Sequence, residues 1–234
     1  VSSFDGLYRT SLKGLTPERA METVFSGNPW TTSFTEDSFG NIWIGTYRNG
    51  TFCFHKNQTP FQKSMSGKNI ECMSTDHSGN YWIGSLNGEV CVLDSTQKQI
   101  MGKTIFPNDM IHTICGQESS NKVWVGTMYG LYEAWIESNK QIVYQKTSGI
   151  NIPSIRSIVQ DSCFLWIASY NNGVTLYNYS TQQSVVTYKT DSEVLPLPSN
   201  TIRTILKDRE NNLWVGTAEG LVVLNGDRKS TRLN

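Results

Sequence analysis

Apolar and polar residues alternate in short runs that recur along the chain. Five of these runs are TTSFT from Thr31, IECMS from Ile70, IHTIC from Ile111, IRSIV from Ile155 and IRTIL from Ile202. Alternation with a period of two, together with many β-branched residues, predicts β-strands. No stretch shows the sustained 3.6-residue periodicity or the capping residues of helices, so the pattern predicts an all-β protein.

A tryptophan phrase begins about twelve residues after the start of each alternating run. The phrases begin at Trp43, Trp82, Trp124, Trp166 and Trp214, at intervals of 39, 42, 42 and 48 residues. A near-constant period of this size is typical of tandem supersecondary units. Because each Trp occupies the same place in its repeat, we expect all five to be structural and to pack between neighbouring units.

An acidic residue lies between each alternating run and its Trp. It stands six residues before the Trp in four repeats and five residues before it in the other one, at Asp37, Asp76, Glu118, Asp208 and Asp161. A residue that tolerates positive φ follows in four repeats, at Gly40, Gly79, Asn121 and Asn211. An acidic residue followed by Gly or Asn is typical of a tight hairpin turn. We therefore expect these acids to cap turns and not to act as paired catalytic carboxylates.

A glycine opens a third alternating run after each Trp phrase, as in GTFCF from Gly50, and a more variable fourth segment follows. Four strands in about 42 residues make one blade of a β-propeller, so we predict an all-β propeller of four-stranded antiparallel blades. The predicted propeller domain covers 1–226, and residues 227–234, which fit nothing in the repeat, are predicted to be a non-native tail. The blades are placed at 1–27 (half), 30–67, 68–107, 109–149, 153–195 and 200–225 (incomplete).

The repeat resembles the two-component regulator propeller repeat. The resemblance is carried by DSFGNIWIGT from Asp37 and DRENNLWVGTAEGL from Asp208, and it extends from Phe4 to Asn225. Two repeats depart from the pattern, because Ala168 replaces a glycine and the unit at Glu118 lacks the Gly-Asn turn. WD-repeat and kelch propellers fit less well, since their signature pairs are missing.

The resemblance implies a sensor. Members of this family form seven-bladed, extracytoplasmic rings of sensor or hybrid histidine kinases, and many detect oligosaccharides. About five and a half blades are predicted here, and both ends supply a third strand, so we expect a part of a larger, seven-bladed ring. The resemblance further implies a periplasmic location, an oligosaccharide ligand, a homodimer formed through the full-length receptor, and a membrane connection only through segments outside this chain.

Residues that differ between repeats are the candidates for ligand binding. The spacer after each Trp phrase and the linker before each first strand are expected to share one face, where aromatic rings can stack on sugars and amides can bind hydroxyls. The candidates are Trp30, Tyr47, Arg48, Asn49, Asn87, Tyr129, Tyr170, Asn171 and Asn172, with Asn69, Asn108, Asp109 and Asn200 from the linkers. For any single one of them, an ordinary role in a turn or at the wet surface is the alternative.

A second group occupies the second position of the presumed innermost strands: Glu71, His112, Arg156 and Arg203. We expect these side chains to line the central channel. The two arginines there suit a carboxylate or an acidic group of a partner, and pairing with Glu71 or with water is an equally good interpretation.

Composition narrows the remaining function classes. The net charge is zero, which gives nucleic-acid binding no electrostatic support. His55, His77 and His112 lie in three different repeats and the cysteines form no closely spaced pair, so no metal and no cofactor are predicted. Two alternatives to a sensor stay open: a protein-interaction scaffold, and a propeller carbohydrate-active enzyme with Glu71 and Asp109 as its only candidate carboxylates.

Overall fold

The structure is a computed structural model that describes residues 2–3, 6–9, 22–26, 30–36, 40–47, 49–54, 62–64, 68–94, 99–193, 195–224 and 230–233. All regular elements within these ranges are β-strands, and the sheets are antiparallel, which confirms the predicted all-β class. No helix in the described part of the chain is long and apolar enough to cross a membrane. The chain divides into two compact units, residues 1–73 and 74–234.

The first unit contains two sheets. Strands β1 (Ser2–Ser3), β2 (Gly6–Arg9) and β3 (Glu22–Ser26) form a three-stranded sheet. Blade 1 follows, and its strands in order are β4 (Thr31–Glu36), β5 (Ile42–Thr46), β6 (Gly50–Phe54) and β7 (Gln62–Ser64).

Four-stranded sheets continue along the chain as blades 2 to 5. Blade 2 consists of β8 (Ile70–Thr75), within which the two units divide, β9 (Tyr81–Ser85), β10 (Glu89–Leu93) and β11 (Gln99–Thr104). Blade 3 consists of β12 (Ile111–Gly116), β13 (Lys122–Thr127), β14 (Leu131–Ile136) and β15 (Ile142–Lys146). Blade 4 consists of β16 (Ile155–Asp161), β17 (Phe164–Ser169), β18 (Val174–Asn178) and β19 (Gln183–Tyr188). Blade 5 consists of β20 (Ile202–Lys207), β21 (Leu213–Thr217), β22 (Gly220–Leu224) and β23 (Ser230–Leu233).

Strand β23 comes from the segment that the sequence predicts to be a non-native tail. It pairs with β22 and completes the fourth position of blade 5, which the sequence had left incomplete at residue 225. Residues 225–229 and 234 lie outside the described residues, and the foreign origin of the tail stays a prediction.

Within the second unit, consecutive blades meet through their first strands. Strand β12 packs against β16, and β16 packs against β20, so the first strands form the inner side of this unit. Apolar side chains fill the space between blades: Trp124 of blade 3 packs among Ile155, Leu165 and Tyr177 of blade 4. The same arrangement recurs one blade on, where Ala168 packs with the residues of blade 5. Trp43 and Trp82 are also buried.

A β-bulge interrupts the inner strand at its second residue in every blade for which this pairing is described. In blades 3, 4 and 5 the ladder skips His112, Arg156 and Arg203, while the residues on either side stay paired. Blade 1 has the same bulge at Thr32. A bulge leaves one residue outside the ladder and re-aims its side chain. The residues predicted to line the channel are thus singled out by a repeated irregularity of the backbone.

The repeated acid accepts a hydrogen bond from the indole of the repeated Trp. Asp76 Oδ2 accepts from Trp82 Nε1 at 2.9 Å, and the Asp76 carboxylate also accepts from the backbone and side-chain nitrogens of Asn80. Asp208 makes the equivalent bonds to Trp214 and Asn212, and these bonds, with that of Trp214 first, lower the pKa of Asp208 to about 2. The acid therefore closes the hairpin turn, as its sequence context predicts, and also anchors the Trp.

Two blades that depart from the sequence pattern lack this bond. In blade 3, where Glu118 takes the place of Asp, the buried Trp124 Nε1 has no hydrogen-bond partner. In blade 4 the acid stands one residue closer to its Trp, and Asp161 instead forms an ion pair with Lys207 at 2.7 Å. An acid that stands one residue closer to its Trp in the sequence thus binds a different partner from the acids of blades 2 and 5.

Candidate functional site

One end of each blade joins the spacer after the Trp phrase to the linker before the first strand. The residue four positions after the Trp donates its backbone N–H to the carbonyl of the last linker residue. This bond links Tyr47 to Trp30, Met128 to Met110, Tyr170 to Ser154 and Ala218 to Thr201, at 2.8 to 3.0 Å. Within each of these four blades, the two segments that vary most between repeats therefore lie side by side.

In the first unit this end carries two aromatic rings. Trp30, 59% exposed, and Tyr47 have ring centroids 5.7 Å apart at an interplanar angle of 59°. Asn49, which follows Tyr47 by two residues in the sequence, is partly buried. Arg48 lies outside the described residues. The two rings form an aromatic pair of the kind that offers apolar faces to a ligand.

The predicted asparagines of the second unit are held by hydrogen bonds, two within their own turns and one to the linker before the next blade. Asn171 Oδ1 accepts a hydrogen bond from Thr201 Oγ1 at 3.3 Å, and Asn172 Nδ2 donates to Ser169 Oγ at 3.4 Å. Asn87 Oδ1 accepts a hydrogen bond from the serine hydroxyl two residues before it. These contacts favour the turn alternative for Asn87 and Asn172, whereas Asn171 joins its spacer to the next linker.

The linker residues are similarly engaged. Asn200 bonds the backbone and hydroxyl of Thr190, and Asn108 adopts a positive φ of 64° in a turn. Asp109 is buried, and its Oδ1 accepts the backbone N–H of Met128 at 3.0 Å. Asn69 is half-buried in the other unit. The aromatic candidates Tyr129, 57% exposed, and Tyr170 are thus the side chains of this group best placed to meet a ligand in the second unit.

Three consecutive blades bring one tyrosine and three bulge residues together. Arg156 Nη1 lies 3.2 Å from His112 Nδ1 of the preceding blade. The guanidinium carbon of Arg156 lies 5.1 Å from the ring centroid of Tyr170, and that of Arg203, from the following blade, lies 5.3 Å from the same centroid. Both distances are those of cation–π contacts. Tyr170 is therefore where the variable face and the inner strands meet.

The histidine of this cluster is neutral at physiological pH. Burial and, after it, the positive charge of Arg156 lower the pKa of His112 from 6.5 to about 4. The negative charge of Asp109 acts in the opposite direction and offsets part of this shift. Arginine can only donate hydrogen bonds, so Nδ1 of the neutral imidazole is the acceptor in the contact with Arg156. His112 thereby orients the guanidinium without neutralising it.

The lowered pKa of His112 predicts a loss of stability in acid. Between the unfolded-state value of 6.5 and the folded-state value of about 4, the unfolded chain binds this proton first. Lowering the pH through that window should therefore destabilise the fold, by about 2 kcal/mol after allowance for partial solvent screening. Thermal unfolding of the parent and of His112→Gln across the window measures the effect. The parent should lose more stability than the variant, and parallel curves would contradict the assignment.

The fourth predicted channel residue, Glu71, belongs to the first unit and is partly buried on β8. Thr32 holds the same bulge position in blade 1, and sequence reasoning missed it. Its Oγ1 donates a hydrogen bond to the backbone carbonyl of Ile70. Equal distance from the start of each alternating run was the signal that could have identified it.

A cavity of about 400 Å³ lies elsewhere, between blades 4 and 5. Its walls are mainly apolar and include Trp166, Tyr188 and Leu213, and the Asp161–Lys207 ion pair lies at its edge. Trp166 stacks on Tyr188 with ring centroids 6.2 Å apart. These features are those of incomplete packing between two blades, and the polar, charged cluster around Tyr170 is the better candidate site.

Two segments of the chain, residues 25–48 and 196–219, match the family of two-component regulator propellers. They cover the start of blade 1 and the corresponding part of blade 5, including the phrases at Trp43 and Trp214. These two segments carry the repeat of that family. The match confirms the resemblance to this repeat family that the repeated Trp phrases indicate. A comparison with curated protein sequences finds no significant match.

Solved structures share the fold of this chain. The extracellular domain of a hybrid two-component system from B. thetaiotaomicron is 24% identical, with a TM-score of 0.72 over 90% of this chain and 29% of its own. Virginiamycin B lyase from Staphylococcus aureus is 17% identical, with a TM-score of 0.66 over 88% of this chain and 70% of its own. An auxiliary nutrient binding protein from Bacteroides thetaiotaomicron is 14% identical, with a TM-score of 0.65 over 85% and 59%. This chain thus spans less than a third of the length of the first of these structures.

Proposed function

We propose that this regulator propeller is the ligand-sensing part of an extracytoplasmic, periplasmic receptor that recognises an oligosaccharide and relays its presence to a histidine kinase. The observation that carries the proposal is the cluster of Tyr170 with Arg156 and Arg203, at the end of the blades where the sequence varies most. The repeat family supports the signalling context. The similar folds of a two-component extracellular domain and a nutrient binding protein agree with it.

Signalling in this proposal requires no catalysis by the propeller. A ligand that binds one arrangement of the receptor more tightly than another shifts the population toward that arrangement. The partner would be a second copy of the full-length receptor, and the membrane would be reached only through other segments. Membrane and kinase segments are parts of the proposal and not of the described structure.

Titration with a panel of oligosaccharides tests the proposal. We expect saturable heat for one class of saccharide, and a loss of about tenfold in affinity for Tyr170→Ala, because the variant removes the ring that both guanidinium groups contact. Tyr170→Phe should keep most of the affinity if the ring face is what matters. Tyr144→Ala, which changes an exposed ring on the fourth strand of blade 3, is the matched control and should bind like the parent. A panel without heat, or equal losses at Tyr170 and Tyr144, would refute the proposed site.

A protein-interaction scaffold is the second candidate function. Met110, Met128 and Tyr129 are all substantially exposed, at 41–57%, and they lie in adjoining segments at the same end of blade 3. Methionine-rich and aromatic surfaces are typical of protein contacts. Self-association of the chain without binding of any saccharide would favour this alternative.

The enzyme alternative receives less support from the site. Asp109, one of its two candidate carboxylates, is buried and accepts a backbone hydrogen bond. Glu71, the other, lies in the first unit. The similarity to virginiamycin B lyase is one of fold and does not transfer its chemistry.

A further inference from the structure

We propose that Arg156, Tyr170 and Arg203 form a binding site for an anionic group, so that the preferred ligand is an acidic saccharide carrying a carboxylate or a sulfate. This inference rests on the proposed function and narrows it from oligosaccharides in general to charged ones. It concerns residues of two adjacent inner strands and the spacer between them, all within the second unit.

The two guanidinium groups form a concentration of positive charge, and neither forms an ion pair with a described residue. Both lie within 5.3 Å of the centroid of one tyrosine ring. Within the described ranges, the recorded ion pairs are Lys122–Glu133 and Lys207–Asp161, and neither arginine takes part in one. Two like charges held at one ring repel, so an anion bound beside them gains from both charges and relieves the repulsion.

Hydrogen-bond donors of the cluster are also unused. Arg156 Nε is buried and has no hydrogen-bond partner, while one terminal nitrogen of the same group contacts His112. Arg203 is exposed, and its only recorded contact among the described residues is with the ring of Tyr170. A guanidinium presents its donors in a planar fork that matches the two oxygens of a carboxylate or sulfate. The exposed guanidinium of Arg203 is open to such a ligand, and Arg156 contributes its charge to the same cluster.

The surroundings hold the cluster in a ligand-ready arrangement. His112 accepts a hydrogen bond from Arg156 and, being neutral, leaves its charge available to a ligand. The backbone N–H of Tyr170 is bonded to Ser154, which fixes the spacer that carries the ring. A preorganised site loses less conformational entropy on binding.

A saccharide fits this site better than an acidic peptide. The Tyr170 ring lies within the charged cluster itself, and Tyr129 exposes a second ring on the neighbouring blade. The exposed ring of Tyr129 can stack on the C–H face of a sugar ring, while the guanidinium groups at Tyr170 bind the charged substituent. One acidic sugar can use both kinds of contact at once.

Calorimetric titration with matched acidic and neutral saccharides tests this inference. The probes are an oligogalacturonide, the neutral galacto-oligosaccharide, a sulfated chondroitin oligosaccharide and a polyglutamate peptide. We expect an acidic saccharide to bind at least about tenfold more tightly than its neutral counterpart, and Arg203→Gln to remove about tenfold of its affinity. Arg203→Lys should recover only part of that loss, because lysine keeps the charge and loses the fork. The uronate and sulfate probes separate the two anion types.

Arg209→Gln is the matched control, because it removes an exposed arginine from the hairpin at the opposite end of β20 and should leave affinity within about twofold of the parent. Arg156→Gln, whose fold is checked by circular dichroism, should behave like Arg203→Gln. A neutral saccharide that binds as tightly as the acidic one, with the arginine variants unaffected, would overturn the anion site and leave the proposed sensor function standing. No binding of any saccharide would overturn both, and binding of the acidic peptide alone would replace the saccharide with a protein partner.

Discussion

Replacing Gly88 with alanine is expected to lower the free energy of unfolding by about 4 kcal/mol. Gly88 has a φ of 76°, a conformation that L-residues other than glycine adopt only with strain. An added Cβ would also collide with the carbonyl oxygen of Phe106. That backbone cannot retreat easily, because Gly88 O accepts the N–H groups of both Ile105 and Phe106. Unfolding in urea, followed by tryptophan fluorescence, measures the loss.

Gly79→Ala is the matched control within the same blade. Gly79 has nearly the same φ, 79°, but an added Cβ there meets nothing within 4 Å. The variant therefore incurs the backbone strain without the collision and should lose only about 1 kcal/mol. Similar losses in the two variants would show that φ alone, and not the close approach of two chain segments, makes Gly88 necessary.

The second large effect is expected for Asp76→Ala, with a loss of about 3 kcal/mol. The Asp76 carboxylate accepts hydrogen bonds from the fully buried Trp82 indole and from two nitrogens of Asn80. Alanine would leave a buried indole N–H without a partner and would open the hairpin turn. Chemical denaturation again provides the measurement, and Asp76→Asn, which keeps one acceptor oxygen, should lie between the parent and Asp76→Ala.

Glu118→Ala tests whether this loss comes from the bond to tryptophan. Glu118 precedes Trp124 in the sequence by the same number of residues as Asp76 precedes Trp82. Glu118 is nevertheless exposed, and Trp124 Nε1 has no hydrogen-bond partner. Removing its carboxylate should change stability by less than about 0.5 kcal/mol. If both alanine variants were equally destabilised, the acid would act through the turn and the indole bond would contribute little.

The repeat also explains why the candidate site is charged. A bulge at the second residue of each inner strand takes that residue out of the ladder, so the sheet places no pairing requirement on its side chain. The chain can therefore vary this position without loss of the fold. In blades 3, 4 and 5 this position holds His112, Arg156 and Arg203. The two arginines contact the ring of Tyr170, and His112 contacts Arg156.

The sequence by itself determined the all-β class, the repeat and the turns. Alternation along IRSIV, the hairpin acids and the glycines at positive φ are local signals, because a strand or a tight turn depends on residues a few positions apart. The same signals predicted that the spacer holding Tyr170 would differ from its counterparts in other repeats, and they placed Arg156 and Arg203 at equivalent positions of different strands.

Tertiary structure decided which of these residues meet. His112, Arg156 and Arg203 are separated by more than forty residues each, and only the packing of β12 against β16 and of β16 against β20 brings them together with Tyr170. No local pattern contains such a contact, because the geometry between blades depends on side chains packed from two sheets at once. For the same reason the unpartnered indole of Trp124 and the ion pair of Asp161 with Lys207 became visible only in the fold. Glu118 keeps the usual spacing from its Trp, whereas Asp161 stands one residue closer to Trp166.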